Sequence, residues 1–321
     1  MTYPPDVSPG RDRSAVPPRS AEWRRAAALF LLVLAISTVP SVVLVGVPFV
    51  LLTLVLPARR FGGLVLAAFV AFVVTAGSGS MGGLWYAERG WAVLVGGWFV
   101  AATLRWPDRG TSVRALVAVA GAGLTALLFF VVSPGAWSVI DFAVRERLAS
   151  TVTATIEALR VLRGEAAIAP TLVQAVRLTA EWQHELFPGL LALASMGALA
   201  LAWWIYLRAG LGLTGALKDL RDFRFNDHLV WVFVAGLALI LAGLGEVWTR
   251  MGSNAVLFMA GLYALRGVAV VLFINGGISL IGGVAIALAM VFLAPVLVAG
   301  ALLIGLGDTW LDLRARMARS A

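Results

Sequence analysis

Long uninterrupted runs of apolar residues recur along this chain, and no other feature constrains its fold as strongly. Two runs of about thirty residues cover 26–56 and 278–306. Shorter runs lie between them, at 61–77, 91–104, 111–133, 189–207, 229–247 and 255–274. A stretch of about 18 apolar residues is long enough to span a bilayer as a helix. The chain is therefore predicted to be an integral membrane protein.

The spanning segments are predicted to be helices. Inside a bilayer each backbone N–H and C=O must find its partner within the protein, which leaves only helices and closed β-barrels. Barrel strands alternate apolar and polar residues, whereas the runs here are continuous Leu, Val and Ala. The predicted fold is an all-α polytopic bundle of about eight to ten membrane segments. The number depends on whether the two long runs cross once or fold back, near VPSV at 39–42 and near Pro295.

Composition and charge fit this setting. The chain is 61% hydrophobic and 13% charged, with a net charge of +8 and a mean hydropathy of +0.94, whereas soluble domains average about 25% charged residues. In a membrane protein the basic residues mark cytoplasmic connections rather than nucleic-acid contacts. The predicted partner is thus the lipid bilayer, with no nucleic acid. The chain has no cysteine, which excludes disulfides and thiolate metal sites.

The basic residues predict an orientation. If both long runs are hairpins, one side of the membrane collects most of the short basic segments. These are the N-terminal tail, Arg59 and Arg60, RWPDRG at 105–110, the segment 208–228, and Arg314, Arg316 and Arg319. Short cytoplasmic loops are enriched in Lys and Arg. The prediction is a multi-pass protein of a bacterial cytoplasmic membrane with both termini in the cytoplasm.

Three regions are predicted along the chain. Residues 1–25 are rich in Pro, Ser and Arg without an apolar period, which indicates a disordered cytoplasmic tail. A signal peptide is not favoured, because the apolar run that follows continues to Leu56 without a small-residue cleavage site. Residues 26–307 form the transmembrane domain, and 308–321 form a cytoplasmic C-terminal tail.

The connection 134–188 is predicted to be helical and outside the membrane. Leu148, Val152, Ile156 and Leu159 recur every three or four residues, and Leu172 and Val176 repeat the spacing. This period is typical of amphipathic helices, here two surface helices between about 139 and 187. They would form either a cap without a binding role or a lid over a solute site.

The sequence offers little for catalysis. Its two histidines, His184 and His228, lie in polar segments without metal-ligand spacing, and both are assigned to the surface. No phosphate loop, dinucleotide fingerprint or nucleophile elbow is present. A lipid-modifying enzyme would have only Asp308, Asp312 and His228 as acid–base groups. The prediction is a protein without catalytic residues, metal or cofactor, in which any energy-driven step requires another subunit.

A stripe of small residues predicts close helix packing. Its members fall four residues apart on one helix face: Gly63, Ala67, Ala71, Thr75 and Gly79. Small residues let two membrane helices approach closely. The face could pack within the bundle or receive a separate membrane subunit.

Arg266 lies within the apolar run 255–274. A charge within a spanning helix is costly, so such residues usually face a partner or a cavity. In one interpretation Arg266 forms a structural ion pair, with Asp308 or Glu246 as the acid, or contacts neutral Asn275. In the other it faces an anionic ligand, and Tyr263 and Asn254 on the same span supply hydrogen bonds.

Three C-terminal stretches resemble a known family. They are LKDLRDFRFNDHLVWVFV, SNAVLFMAGLYALRGVAVVLFI and LLIGLGDTWLDLRAR, and together they resemble the YybS-like bacterial membrane proteins, a family of unknown function. The resemblance places seven residues on motif positions: Asn254, Tyr263, Gly267, Gly305, Asp308, Asp312 and Arg314. Arg266 departs from the motif, which often has a neutral polar residue before the glycine.

The resemblance implies a function. The YybS-like family is thought to be related in fold to S components of energy-coupling-factor transporters, which bind vitamins or metal ions and depend on separate ATPase and coupling subunits. It therefore implies a subunit that binds or transports a small solute. Our hypothesis is that the solute site lies between helices and has Arg266 in its wall. The alternative is a non-catalytic scaffold or assembly subunit of a larger membrane complex, favoured by the small-residue stripe and by the few polar residues in the spans.

Overall fold

The computed structural model describes residues 41–56, 83–163, 169–211, 223–274, 280–311 and 314. These residues are helical almost throughout and include no strand, so the predicted all-α bundle is confirmed. The predicted N-terminal tail and the small-residue stripe Gly63, Ala67, Ala71, Thr75 and Gly79 lie outside the described residues.

The described helices are numbered here in chain order. They are α1 Ser41–Val55, α2 Gly83–Arg105, α3 Thr111–Val132, α4 Pro134–Arg163, α5 Pro170–Glu185, α6 Phe187–Ile205, α7 Val230–Leu241, α8 Glu246–Ile274 and α9 Leu280–Leu311. A π-helical turn, Tyr206–Leu211, continues α6, and a 3-10 turn, Asp227–Leu229, leads into α7.

Within the described ranges, four helices are long and apolar enough to cross a membrane: Thr111–Val132, Phe187–Ala209, Glu246–Ile274 and Leu293–Leu311. Two shorter apolar helices, Val43–Val55 and Asp227–Leu241, accompany them. These lengths and compositions support an integral membrane protein. The total of eight to ten segments stays a prediction, because two of the predicted segments lie outside the described residues.

The α7–α8 hairpin differs from the sequence boundaries. The predicted spans were 229–247 and 255–274, but α7 ends at Leu241 and α8 already begins at Glu246. Gly243 and Gly245 have φ of 60° and 110°, a left-handed conformation that ends a helix and that glycine adopts without strain. The polar stretch 248–254, which lies between the two predicted spans, is helical, and its Arg250 and Asn254 side chains bond to neighbouring helices.

From Leu280 onward the last long apolar run forms two helical halves, together called α9, which meet at a kink at Leu293 just before Pro295. Proline removes a backbone hydrogen bond and displaces the preceding turn, so a kink at this point is expected. The helix continues to Leu311. The boundary predicted at 308 for the C-terminal tail therefore falls inside α9, where Asp308 is fully buried.

Glycines bring α8 and α9 into backbone contact. A Cβ at Gly267 would overlap the Ala301 carbonyl oxygen, and one at Gly305 would overlap the Tyr263 carbonyl oxygen. Only glycine fits at such a crossing. Gly267 and Gly305 are two of the positions that the sequence resemblance placed on motifs, and their role in this structure is close helix packing.

The connection between α3 and α6 is an antiparallel pair of amphipathic helices, α4 and α5. Leu148 and Val152 of α4 are buried against Val176 and Ala180 of α5. Leu84 of α2 and Phe187 of α6 complete this small core. The structure has helices where the apolar period predicted them, although α4 begins at Pro134 rather than near 139. Neither α4 nor α5 is among the helices apolar enough to cross a membrane.

Candidate functional site

Arg266 is buried and bonded to two aspartates. Its Nε donates to Asp308 Oδ2 at 2.9 Å, its Nη1 to Asp227 Oδ1 at 2.5 Å, and its Nη2 to the Asp308 carbonyl oxygen at 3.3 Å. Arg314 adds a second cation, donating to the same Asp308 Oδ2 at 3.0 Å and to the Phe223 carbonyl. We call these four residues, Asp227, Arg266, Asp308 and Arg314, the charge cluster.

The charge cluster joins three separate segments. Arg266 comes from α8, Asp308 from the end of α9, and Asp227 from the turn that leads into α7. Two arginines and two aspartates sum to zero charge, which is how charges are usually tolerated at depth in a membrane protein. The structure thus brings together the predicted pair Arg266 and Asp308. Glu246, the other acid considered, lies 20 residues away, or about 30 Å along α8.

Tyr263 lies one turn before Arg266 and is wholly buried. Its ring packs edge-on against Phe225, with ring centroids 5.2 Å apart, and against Phe233 at 6.3 Å. These rings belong to the segment that precedes α7 and to α7 itself. Tyr263 therefore contributes to the packing of the bundle beside the charge cluster.

Asn254 is far from the other two predicted ligand residues. It precedes Arg266 by 12 residues, about 18 Å along the helix. Its Oδ1 accepts from the Gly189 N–H at 2.7 Å, and its Nδ2 donates to the Glu185 carbonyl at 2.8 Å. It thereby satisfies backbone groups where α5 ends and α6 begins, which would otherwise lack partners. Arg266, Tyr263 and Asn254 do not form one site.

A small polar pocket of about 160 Å³ adjoins the charge cluster. Arg224, Phe225 and Thr309 line it together with the side chains of Asp227, Arg266 and Asp308. A polar space of this size can hold a few water molecules. The Arg266 donors named above are already directed at Asp227 and Asp308. We therefore interpret the pocket as a space for water beside the ion pairs rather than as a ligand site.

A second polar cluster lies near the start of α8, about 24 Å along the helix from Arg266. Arg250 Nη2 donates to Asp141 Oδ1 at 2.7 Å and to the His184 carbonyl at 3.0 Å. His184 Nε2 lies 3.1 Å from the same Asp141 oxygen. The prediction that His184 lies at the surface is wrong, because its side chain is buried in this contact.

The ionisation of Asp141 is coupled to this contact. Burial raises the pKa of the Asp141 carboxyl, but the hydrogen bonds and charges of Arg250 and His184 outweigh burial, so the pKa lies below its ordinary value. Asp141 belongs to α4, His184 to α5 and Arg250 to α8. The ionised carboxylate therefore helps to hold the α4–α5 pair against the membrane helices.

A second, larger cavity lies elsewhere in the described part of the chain. It has a volume of about 790 Å³ and is lined by α1, α2, α3 and α6, with α4 at one end. Six aromatic side chains form much of its wall: Tyr86, Trp91, Phe129, Phe130, Trp137 and Phe187. Pockets of about 300–1,000 Å³ lined by apolar and aromatic groups are typical of small-molecule sites. We call it the apolar cavity.

Two glycines leave room in this wall. A Cβ built on Gly90 of α2 or on Gly123 of α3 would meet no atom within 4 Å. Both residues line the apolar cavity. By contrast, Gly96 in α2 and Gly121 in α3 face side chains that a Cβ would strike. The helices therefore pack closely at one set of glycines and leave space at the other.

Few polar groups face the apolar cavity. Glu88 at its edge accepts a hydrogen bond from Arg147 Nη1 of α4. The Trp91 indole N–H donates to Ser195 Oγ at 2.9 Å, and Thr125 Oγ1 donates to the Gly121 carbonyl. The Trp91 indole and Thr125 hydroxyl protons are thus used within the protein. The other polar side chains among the lining residues are Glu88, Tyr86 and Trp137.

Sequence reasoning missed several residues that organise these sites. Asp227 sits in a segment rich in charges, so nothing in the sequence singled it out as the second acid for Arg266. Glu88 and Gly123 gave a weak signal: a lone carboxylate just before an apolar run, and glycine within a helix, where it lowers stability by about 1 kcal/mol relative to Ala.

Comparison with protein-family models, curated proteins and solved structures found no match to this chain. The resemblance to the YybS-like family therefore stays a prediction. No group of three or more His, Asp and Glu side chains that could hold a metal occurs among the described residues.

Proposed function

We propose that this protein is a membrane subunit that binds or transports a small solute, and that its solute site is the apolar cavity. The observation that carries the proposal is the cavity itself, about 790 Å³ with an aromatic and aliphatic wall. The solute is accordingly apolar over most of its surface. This replaces the predicted site around Arg266, whose described donors are engaged by aspartates.

The exposure of the cavity wall supports access from the bilayer. Leu127 and Phe129 line the cavity and are 58% and 56% exposed. In a membrane helix, exposed apolar side chains of this kind face lipid. A solute that partitions into the bilayer can therefore reach the cavity sideways, between α3 and its neighbours, without crossing water.

The α4 helix supports a lid role for the α4–α5 pair. Trp137 and Ile140 of α4 line one end of the cavity, and the Asp141–Arg250 contact holds this end of α4 near α8. A movement of α4 would therefore change the size of the site. Of the two interpretations of the 134–188 region, a lid is the one we propose.

Transport would require separate energising subunits. The sequence has no nucleotide-binding motif, and S components, which the C-terminal stretches suggest as fold relatives, also depend on other subunits for energy. The proposed setting is the bacterial cytoplasmic membrane, with both termini in the cytoplasm, as the distribution of basic residues favours.

The test is thermal unfolding of the purified protein in lipid nanodiscs with added probes. Biphenyl represents apolar solutes, and free nucleobases represent polar ones. We expect biphenyl to raise the unfolding temperature, since a ligand at 100 times its Kd adds about 2.7 kcal/mol of stability. The Gly123→Leu variant, which fills the cavity, should lose this response.

The matched control is Gly97→Leu in α2. A Cβ at Gly97 also meets nothing within 4 Å, but Gly97 is exposed and does not line the cavity. Biphenyl should stabilise this variant as it does the wild type. Equal responses in Gly123→Leu and Gly97→Leu would contradict the proposal and leave the alternative of a scaffold or assembly subunit.

A further inference from the structure

The charged residue at the edge of the apolar cavity restricts which charge the solute can carry. Glu88 is the only acidic or basic side chain among the described residues that line the cavity. Its carboxylate is 15% exposed and accepts from Arg147, whose side chain is 38% exposed. We infer, resting on the proposed solute site, that the solute is a lipophilic organic cation whose charged group takes the place of Arg147 beside Glu88.

The partner that Glu88 has in this structure can be exchanged. Arg147 lies on α4, donates to Glu88 and does not line the cavity. Because the Arg147 side chain is partly exposed, its ion pair with Glu88 contributes little net stability. Glu88 itself is more deeply buried and needs a positive partner wherever Arg147 points. A solute that carries a positive charge on an apolar body can be this partner. The free-energy cost of bringing it into the cavity is lower than the cost of solvating Glu88 there with water.

The aromatic wall also selects for positive charge. The faces of Trp, Tyr and Phe rings attract cations, and six such rings line the cavity. An anion would instead lie near the carboxylate of Glu88 in a region of low dielectric, where like charges repel more strongly than in water.

Two further arginines lie near the cavity without lining it. Arg89 packs its guanidinium over the Trp85 ring, 3.8 Å from the ring centroid, and donates to the Trp85 carbonyl. Arg250 lies 5.6 Å from the centroid of Trp137, but it is bonded to Asp141. Both cations are thus directed to partners outside the cavity and do not offer it a site for an anion.

The inference can be tested with two probes of the same shape and opposite charge. Tetraphenylphosphonium is a lipophilic cation and tetraphenylborate is the corresponding anion. Their dissociation constants are measured for the protein in nanodiscs of zwitterionic lipid, and binding to the Gly123→Leu variant is subtracted to remove partition into the bilayer. We expect the cation to bind at least about tenfold more tightly, which corresponds to about 1.4 kcal/mol.

Three variants separate the charge of Glu88 from other effects. Glu88→Gln should abolish the preference for the cation. Arg147→Gln, which removes the competing partner, should tighten binding of the cation and so tests the inference even if Glu88→Gln does not fold. Glu157→Gln on the exposed side of α4, where Glu157 is 64% exposed, should leave both constants unchanged.

The results that would overturn the inference differ from those that would overturn the proposed function. Equal or tighter binding of tetraphenylborate, a preference retained in Glu88→Gln, or weaker cation binding in Arg147→Gln would overturn the lipophilic cation while biphenyl still binds. If biphenyl and both ions fail to distinguish the wild type from Gly123→Leu, the solute site itself is wrong.

Discussion

At the scale of single residues, Arg266 shows how this chain carries a charge within a spanning helix. The residue does not meet a single acid but a set of neighbours drawn from two other segments, Asp227 before α7 and Asp308 in α9. Arg314 then compensates the second carboxylate. A buried ion pair is weak evidence for net stability, but removal of one partner is strongly destabilising.

Neutralising Asp308 and neutralising Asp227 are expected to lower the free energy of unfolding by very different amounts. Asp308 is fully buried and contacts both arginines, so Asp308→Asn should lower the free energy of unfolding by about 3–5 kcal/mol. Asp227 is 61% exposed, so Asp227→Asn should cost below about 1 kcal/mol. Denaturant unfolding in detergent measures both values. Similar costs for the two variants would contradict the described cluster.

Reversing the pair should not restore the fold. Arg266→Asp would place a carboxylate beside Asp227, and Asp308→Arg would place a guanidinium beside Arg314. In the double variant the pair is intact but each member faces a like charge. We expect size-exclusion profiles in detergent to show misfolding for both single variants and for the double. Full rescue by the double would mean that Asp227 and Arg314 are not neighbours of the pair.

The crossing of α8 and α9 is also decided by single residues. Gly267→Ala and Gly305→Ala would each drive a methyl group into a facing backbone carbonyl, and overpacking of this kind costs about 1–3 kcal/mol or more. Gly197→Ala in α6, where a Cβ meets nothing within 4 Å, should be neutral or slightly stabilising. Thermal unfolding of the three variants measures this contrast, and equal stability would exclude the close crossing.

At the scale of the element, the α4–α5 pair is attached to the membrane helices through few contacts. Its own small core joins Val144, Leu148 and Val176. Its polar attachment to α8 runs through the Asp141, His184 and Arg250 contact and through the Asn254 hydrogen bond to the Glu185 carbonyl. Such a pair can move as a unit, since elements with few buried contacts to the rest open at low free-energy cost.

This attachment is expected to weaken in acid. The folded pKa of Asp141 lies below its ordinary value of 3.8, so the stabilisation is complete above pH 3.8 and is lost as pH falls through the folded pKa. The groups facing Asp141 are Arg250, His184 and Arg145. In limited pepsin digestion, α4 and α5 of the wild type should therefore be cleaved more slowly than those of the Asp141→Asn variant at pH 5, and this difference should disappear below the folded pKa of Asp141.

The Asp141→Asn variant supplies the control for this experiment. It lacks the charge at every pH, so at pH 5 its α4–α5 pair should be cleaved faster than that of the wild type, and in acid the two should be cleaved alike. If the wild type and the variant are cleaved alike at pH 5, the contact of Asp141 with Arg250 does not hold the pair.

At the scale of the whole molecule, the structure predicts which connections lie on opposite sides of the membrane. Asp108 lies before α3 and Ser150 lies in α4 after it, and α3, at 22 residues, is long enough to cross. Because the chain has no cysteine, Asp108→Cys and Ser150→Cys each create a single label site. An impermeant maleimide should label Ser150→Cys in intact cells, and Asp108→Cys only after permeabilisation.

The reverse pattern, or labelling of both variants in intact cells, would contradict this arrangement. The first result would reverse the orientation that the basic residues favour. The second would mean that α3 does not separate the two positions. The first result would also place the α4–α5 pair on the cytoplasmic side.

The fold was largely predictable and the site was not, for physical reasons that particular residues show. Spanning helices need long apolar runs, and the period of Leu148, Val152 and Val176 is visible in sequence, so both were predicted. The partners of Arg266 depend on how three distant segments meet. The apolar cavity depends on where helices fail to touch, and Gly90 and Gly96 look alike in sequence although one faces space and the other Pro48 and Leu51.

The most direct test of the central claim, that the solute site is the apolar cavity, is protection of a cysteine placed in its wall. The chain has no cysteine of its own, so the Gly123→Cys and Gly97→Cys variants each carry one thiol. Their rates of reaction with N-ethylmaleimide in nanodiscs are compared with and without biphenyl. We predict that biphenyl slows the reaction of Gly123→Cys and leaves the reaction of Gly97→Cys unchanged. If biphenyl changes neither rate, or slows both reactions equally, the assignment of the solute site to the cavity is contradicted.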